Sequence, residues 1–230
     1  MTFSLNSFFA LLLLPITVFS QATILSDKPL TIFTLGDSNG TYAHSWQQQL
    51  RLALPNARVV NISKSGRTIG FLNLGDSTLN SLLVLDENLT KATEATNGQP
   101  VDFIILELGT NDAKAIFADR QRDVPANLER LITRIKSSHY PAINKAKIVI
   151  ISPPPYGDRA EALEKYKGGG KRVEAMSKTF KKIAKRNDCL FVNGFKTPGL
   201  DINTMTTDGL HLDATASRKL IEPVVEKLLN

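Results

Sequence analysis

Thr31-Ile32-Phe33-Thr34-Leu35-Gly36-Asp37-Ser38-Asn39-Gly40 opens the folded part of this 230-residue chain. A short apolar, β-branched run that stops in a Gly, an Asp and a Ser reads as a buried strand ending in a tight turn. Ser38 then stands at the carboxyl end of a first parallel strand with a helix behind it, the edge at which open α/β sheets place their chemistry. Downstream the pattern repeats. Residues 45–54 carry Trp46, Leu50 and Ala53 at helical spacing and stop before Pro55. Residues 58–62 form a second strand that runs into a loop with Gly66. A long connection holding Gly70, Asn73 and Gly75 leads to a helix expected over 78–94, closed by Asn97-Gly98-Gln99-Pro100. Residues 101–108 are apolar on both faces, as a central parallel strand is, and end in Gly109-Thr110-Asn111-Asp112. A helix over 125–137, a strand over 147–151, a helix over 171–186, a strand over 190–192 and a closing helix complete the alternation. A five-stranded parallel sheet with helices on both faces follows.

Composition bounds what this domain can be. With 42% hydrophobic residues, no low-complexity tract and no solenoid repeat, the chain suits one α/β domain over residues 21–230. Residues 1–20 stand apart: the apolar run from Phe8 to Phe19 is short for a membrane span and reads as a secretory signal, although no Lys or Arg precedes it. The alternative is an uncleaved N-terminal anchor. After cleavage no stable membrane insertion is expected, and the protein is expected to be secreted or periplasmic. Cys189, the only cysteine, excludes an intramolecular disulfide and reads as a buried strand residue.

The net charge of +6 is spread out. Its densest group, including Lys178, Lys181, Lys182 and Lys185, falls on the polar side of a helix whose other side is apolar. No aromatic or Gly-rich recognition motif accompanies it, so nucleic acid is not an expected partner, while an acidic polysaccharide stays open. Gly168-Gly169-Gly170 lacks the Lys-Ser/Thr ending of a phosphate loop and reads as a flexible approach to a helix.

The loop residues suit an acyl transfer. A serine hydroxyl attacks a carbonyl only when a base takes its proton, and the base needs a third group to fix its tautomer. His44, His139 and His211 are the available histidines. Of these, His211 has Asp208 three residues before it in a Gly-containing loop, ahead of the last helix. The tetrahedral intermediate needs donors aimed at its oxyanion. Gly66 closes the second strand's loop with an approachable N–H, Asn111 offers a side-chain amide after the third strand, and Ser38 adds its own N–H.

In order, then, come Gly36-Asp37-Ser38, Gly66, Gly109-Thr110-Asn111-Asp112 and Asp208-Gly209-Leu210-His211. This series resembles that of the SGNH hydrolases of the GDSL type and spans nearly the whole mature chain. The resemblance implies a flavodoxin-like three-layer α/β/α fold and ester hydrolysis without metal or cofactor. It implies Ser38 as nucleophile, His211 as base and Asp208 as its orienter, with Ser38, Gly66 and Asn111 as the oxyanion hole. The sequence departs in having Asn39-Gly40 after Ser38, where the family's older name has Leu. Asp37 and Asp112 are read as turn-stabilising. Asn39, Arg67 and Lys114 flank these blocks and are read as solvent-facing loop residues, with substrate contact as the alternative, and Glu107 as a partner in an ion pair or a group near the rim.

The expected substrate is a small ester or an acetylated glycan, deacetylated outside the cell; the oligomeric state is left open. Alternatives are a lipolytic esterase or lysophospholipase, an acyltransferase using the same residues, or a glycan-binding module without turnover. Asn39, Asn61 and Asn88 each begin an N-glycosylation acceptor pattern. A glycan on Asn39 would crowd Ser38, so that position is expected to be unmodified.

Overall fold

The computed structural model describes residues 29–230, so the expected signal over residues 1–20 lies outside the described residues. Five parallel strands form one sheet: β1 (Thr31–Gly36), β2 (Arg58–Asn61), β3 (Phe103–Glu107), β4 (Lys147–Ile151) and β5 (Leu190–Val192), in the spatial order β2-β1-β3-β4-β5. This is the flavodoxin-like order, whose direction reverses between β1 and β3 and opens a crevice there. The register pairs Ile32 with Phe103 and ends on Gly36 opposite Glu107, so β1 and β3 finish at one level.

Period-2 alternation divides the strand side chains between two faces. Phe33, Leu35, Ile104, Leu106, Ile148 and Ile150 point to one side. That side is covered by α2 (Leu85–Ala95), α3 (Asp123–Lys136) and α5 (Gly169–Arg186), which insert Leu89, Leu131 and Phe180 among others. Ile32, Ile105, Val149, Ile151 and Val192 point to the other, under α1 (Trp46–Ala53) and α6 (Ala214–Leu229). A short α4 (Asp158–Glu161) precedes α5. The result is the expected three-layer α/β/α sandwich with five parallel strands.

Three of the boundaries that differ from the sequence reading have identifiable local causes. The helix expected from residue 78 begins only at Leu85. Asn80 bridges to Thr68, and its Oδ1 accepts from the N–H groups of Leu82 and Leu83 at 3.0 and 3.3 Å, a local turn that competes with helix. Helix α3 begins at Asp123, so Pro125 sits in its first turn, where the missing N–H has no intrahelical acceptor anyway. The three glycines are not a flexible approach. Gly169 and Gly170 are the first residues of α5, a Cβ on Gly169 would collide with the Tyr156 ring, and Glu161 accepts from the N–H groups of Gly168 and Gly170. This helix start is capped by the chain's own carboxylate and packed under an aromatic ring. Cys189 also differs, lying half-buried in the connection before β5 rather than in the strand, with its thiol pushed up by burial.

Candidate active site

The crevice between β1 and β3 collects residues from both ends of the domain. Asp37 starts the turn after β1, its Oδ1 accepting from the Asn39 N–H at 3.0 Å, and this sets Ser38 on the first residue of a short helical turn. Ser38 Oγ lies 3.0 Å from His211 Nε2, and His211 Nδ1 lies 2.5 Å from Asp208 Oδ2. Asp208 Oδ1 accepts from the backbone N–H groups of Leu210 and His211 at 2.9 and 2.8 Å. Burial works against the charge on Asp208, yet these N–H groups and the His211 ring outweigh it and hold the carboxyl below its usual value. The structure therefore brings Ser38, His211 and Asp208 into one hydrogen-bonded series ending in a charged carboxylate.

Asn39 is 2% exposed and does not face solvent. Its Nδ2 donates to the Leu210 carbonyl at 3.3 Å and its Oδ1 accepts from the Leu212 N–H at 3.0 Å. The residue after Ser38 thus grips the backbone on either side of His211. With both ends of its amide engaged and no surface, Asn39 offers a glycan no room; Asn88 is likewise buried.

The second wall comes from the loop after β2. Lys64 to Arg67 form a turn closed by Arg67 N–H to the Lys64 carbonyl at 3.1 Å, with Gly66 at φ +83°, a region that a side chain disfavours. Asn73 Nδ2 donates to the Gly66 carbonyl at 2.6 Å, while its Oδ1 accepts from Lys114 Nζ at 3.2 Å. Asn111 Nδ2 donates to the Arg67 carbonyl at 3.1 Å, which ties the loop after β3 to the Gly66 turn. Asn111 and the Gly66 turn are thereby joined at the sheet edge that also carries Ser38. Arg67 is 4% exposed and donates to the Ile62 carbonyl, and burial lowers its pKa to about 10, so it too is a structural residue rather than a solvent-facing one. Lys114 is half-buried, with its pKa lowered by burial and by Lys165.

Beneath the crevice lie three fully buried carboxyls. Asp112 serves its own turn through its backbone N–H and also reaches the loop after β2. Both its oxygens accept from the Ile69 N–H at 3.0 Å, and burial pushes its carboxyl up to about 7. Asp37 is pushed up to about 6, also by burial. Glu107 is neither ion-paired among the described residues nor at the rim. Its Oε2 accepts from Trp46 Nε1 at 3.3 Å, and burial followed by the nearby Asp37 raises its pKa well above the carboxylate range. Sequence reading missed Asn73, and it missed Gln47, which donates to Asn61 and Ser63 behind the Ser38 turn. The available signal was an unexplained amide in each case, Asn73 in the long connection and Gln47 in the first turn of α1.

Histidines outside this series are placed elsewhere. His139 lies tilted against Tyr140, whereas His44 stacks on Tyr42, whose ring meets His211 edge-on at 5.4 Å.

A serine hydroxyl, imidazole and carboxylate at the switch point of a doubly wound sheet are the equipment of a hydrolase. The sequence profile of the GDSL-like lipase/acylhydrolase family matches residues 30–219, and the chain belongs to that family. It is a carboxylic ester hydrolase. Among solved structures, a carbohydrate acetylesterase family member from Sinorhizobium meliloti is 26% identical, with a TM-score of 0.72 over 87% of this chain and 99% of that one. The aryl esterase of M. smegmatis shares the fold at 22% identity and a TM-score of 0.72, covering 87% and 98%. A lipase/acylhydrolase from Enterococcus faecalis shares it at 17% and 0.61, covering 87% and 95%. Among curated proteins no sequence is significantly similar to this chain.

Two expected outcomes come from this geometry. Asn39→Ala removes both grips on the His211 loop and is expected to lower kcat by roughly ten- to a hundredfold with little change in KM, as misplacement of a catalytic group does; an unchanged kcat would show that other contacts hold the loop. Asp112 keeps its proton up to about 7 in the fold, against 3.8 as a free side chain. The folded state therefore binds more protons across that window, and this group's contribution to stability falls as pH rises through it, by at most about 1.4 kcal/mol per pH unit. Asp112→Asn is expected to flatten the pH dependence of urea unfolding over that window, and an identical slope would mean that Asp112 does not titrate there.

Proposed function

We propose that the chain is an exported serine esterase that removes small acyl groups, acetyl first among them, from a carbohydrate or another small ester. The observation that carries this reading is the series from Ser38 Oγ through His211 to Asp208, at 3.0 and 2.5 Å. In the proposed reaction Ser38 Oγ bonds to the acyl carbon while its proton passes to His211 Nε2. Asp208 keeps the other ring nitrogen protonated and stabilises the imidazolium. The N–H groups of Ser38 and Gly66 and the second amide hydrogen of Asn111 serve the oxyanion, the first being spent on Arg67. The carbon–oxygen bond to the alcohol then breaks, and the leaving oxygen takes the proton from His211. Water repeats the sequence on the acyl-Ser38 ester, releasing the acid and restoring the hydroxyl.

The likeness to the S. meliloti carbohydrate acetylesterase family member supports an acetylated carbohydrate as substrate. One feature favours a second, lipolytic reading. Leu72, Leu74 and Ile116 are 51%, 88% and 78% exposed on two loops that the Phe71–Phe117 stack and the Lys114–Asn73 bond join beside Gly66. Leu74 also has a left-handed φ of 57°, and an exposed apolar lip of this kind suits a longer acyl chain.

The test is acid release from acetyl, butyryl and octanoyl aryl esters and from acetylated xylan. Activity on acetyl groups, including those of the glycan, is expected; rates that rise with chain length would transfer the proposal to the lipolytic reading. Ser38→Ala is expected to lower turnover by at least about a thousandfold with an unchanged unfolding midpoint, and near-normal kinetics in this variant would remove Ser38 as nucleophile. For Asn111→Ala the expectation is a kcat lower by about two to three orders of magnitude. A kcat within twofold or so of the parent would place the oxyanion donor elsewhere.

A further inference from the structure

Residues 41–45 form an outward lip between the Ser38 turn and α1. The Ser45 N–H donates to the Tyr42 carbonyl at 3.0 Å, and the Ser45 hydroxyl caps α1 by accepting from the Gln48 N–H at 3.4 Å. Inside this turn the Tyr42 and His44 rings stack with centroids 5.6 Å apart and planes within 6°. The other contact of Tyr42 is with His211, 5.4 Å away at 82°. Both residues of the pair are exposed, Tyr42 by 41%. Two aromatic rings are thus held in solvent by a capped, hydrogen-bonded turn, against the imidazole that touches Ser38.

The chemistry proposed above fixes what passes this point. His211 Nε2 must deliver its proton to the oxygen of the departing alcohol, so the alcohol half of the ester lies along His211. The acyl oxygen is directed to the donors at Gly66 and Asn111. An alcohol leaving along His211 meets Tyr42 and His44 next. Stacked ring faces attract a flat partner, either an aryl ring or the C–H face of a pyranose, and a small alkyl alcohol gains little from them.

We infer that Tyr42 and His44 form the platform for the leaving alcohol, making Tyr42 a specificity-determining residue that selects esters whose alcohol carries a ring. The inference rests on the serine mechanism proposed above. It assigns the ring-bearing part of the substrate to the His211 side of the crevice, away from the leucine lip, which borders Gly66. Selectivity for the alcohol and for the acyl chain then reside on separate loops.

The test compares methyl, benzyl and monoacetylated methyl xyloside acetates, whose leaving groups are all alkoxides, in the parent enzyme, Tyr42→Ala, Tyr42→Phe and His44→Ala. Tyr42→Ala is expected to lower kcat/KM for a ring-bearing ester by about three- to tenfold more than for methyl acetate, mainly through KM, the range set by loss of one aromatic contact. Tyr42→Phe is expected to keep the parent ratio, and His44→Ala to shift it in the same sense as Tyr42→Ala. A selective loss on the benzyl ester alone identifies an aryl alcohol as the fitting partner, and one on the xyloside alone identifies a sugar. Equal losses on all three esters would overturn the platform, because Tyr42 would then act only by holding His211. Labelling of the parent with a sulfonyl fluoride keeps the two inferences apart. Modified Ser38 with an unaltered ester ratio sinks the platform alone, whereas active enzyme that resists the reagent and keeps its rate as Ser38→Ala sinks the mechanism beneath it.

Discussion

Everything at the crevice depends on the pairing of Gly36 with Glu107 at the last rung of the ladder between β1 and β3. Because the two strands stop at the same level, the turns that follow them face each other across one interstrand spacing. The join is tight. A Cβ on Gly36 would lie 2.9 Å from Ser63 Oγ, 3.2 Å from the Glu107 carbonyl and 3.3 Å from the Trp46 ring. A side chain there would press on the Glu107 backbone and the Trp46 ring, and a displaced end would carry Ser38 away from His211. The same crowding buries Asp37, Glu107 and Asp112 under the site, at the end of a sheet whose interior is mostly apolar. Their environments push them toward the neutral form, whereas the N–H groups around Asp208 push it toward the charged form. The negative charge of the site is in this way concentrated behind His211.

The loops are joined by amides. Asn39 spans the two sides of His211, Asn73 links the Gly66 turn to Lys114, and Asn111 reaches the Arg67 carbonyl. Behind Ser38, Asn61 donates to the Gly40 carbonyl while its oxygen accepts from Gln47. An amide can donate and accept at once without carrying charge, so it can connect two backbone segments in a crevice where an ion would be costly. The Ser38 turn and both walls of the crevice are thereby cross-tied by groups that need no counterion.

The number of strands, their parallel direction, the two helical layers and the meeting of Ser38, His211 and Asp208 were legible because each rests on local pattern: apolar runs ending in glycine, and short motifs at strand ends. What was not legible depends on contacts between segments far apart in sequence. Asn39 reads as a solvent-facing loop residue because its partners lie at 210 and 212. Arg67 and Glu107 carry charge, which reads as exposed or paired, and nothing local announces that the fold encloses them. The late start of α2 has the same origin: the apolar spacing before Leu85 is helical, but Asn80 is held by its bridge to Thr68. The glycines at 168–170 were misread because Tyr156, the ring that requires Gly169, comes from another loop.

The grip of Asn39 on the backbone around His211 joins positions 171 and 173 residues apart. A chain emerging from a ribosome or a translocation pore in order from its amino end displays Ser38 long before residue 211 exists. Until the last segment arrives, the serine has no neighbouring imidazole and is an ordinary hydroxyl. Under the proposed mechanism, reactivity is therefore acquired in the closing stage of synthesis, when folding of the final segment completes the domain, and a chain cut short before that point lacks the base.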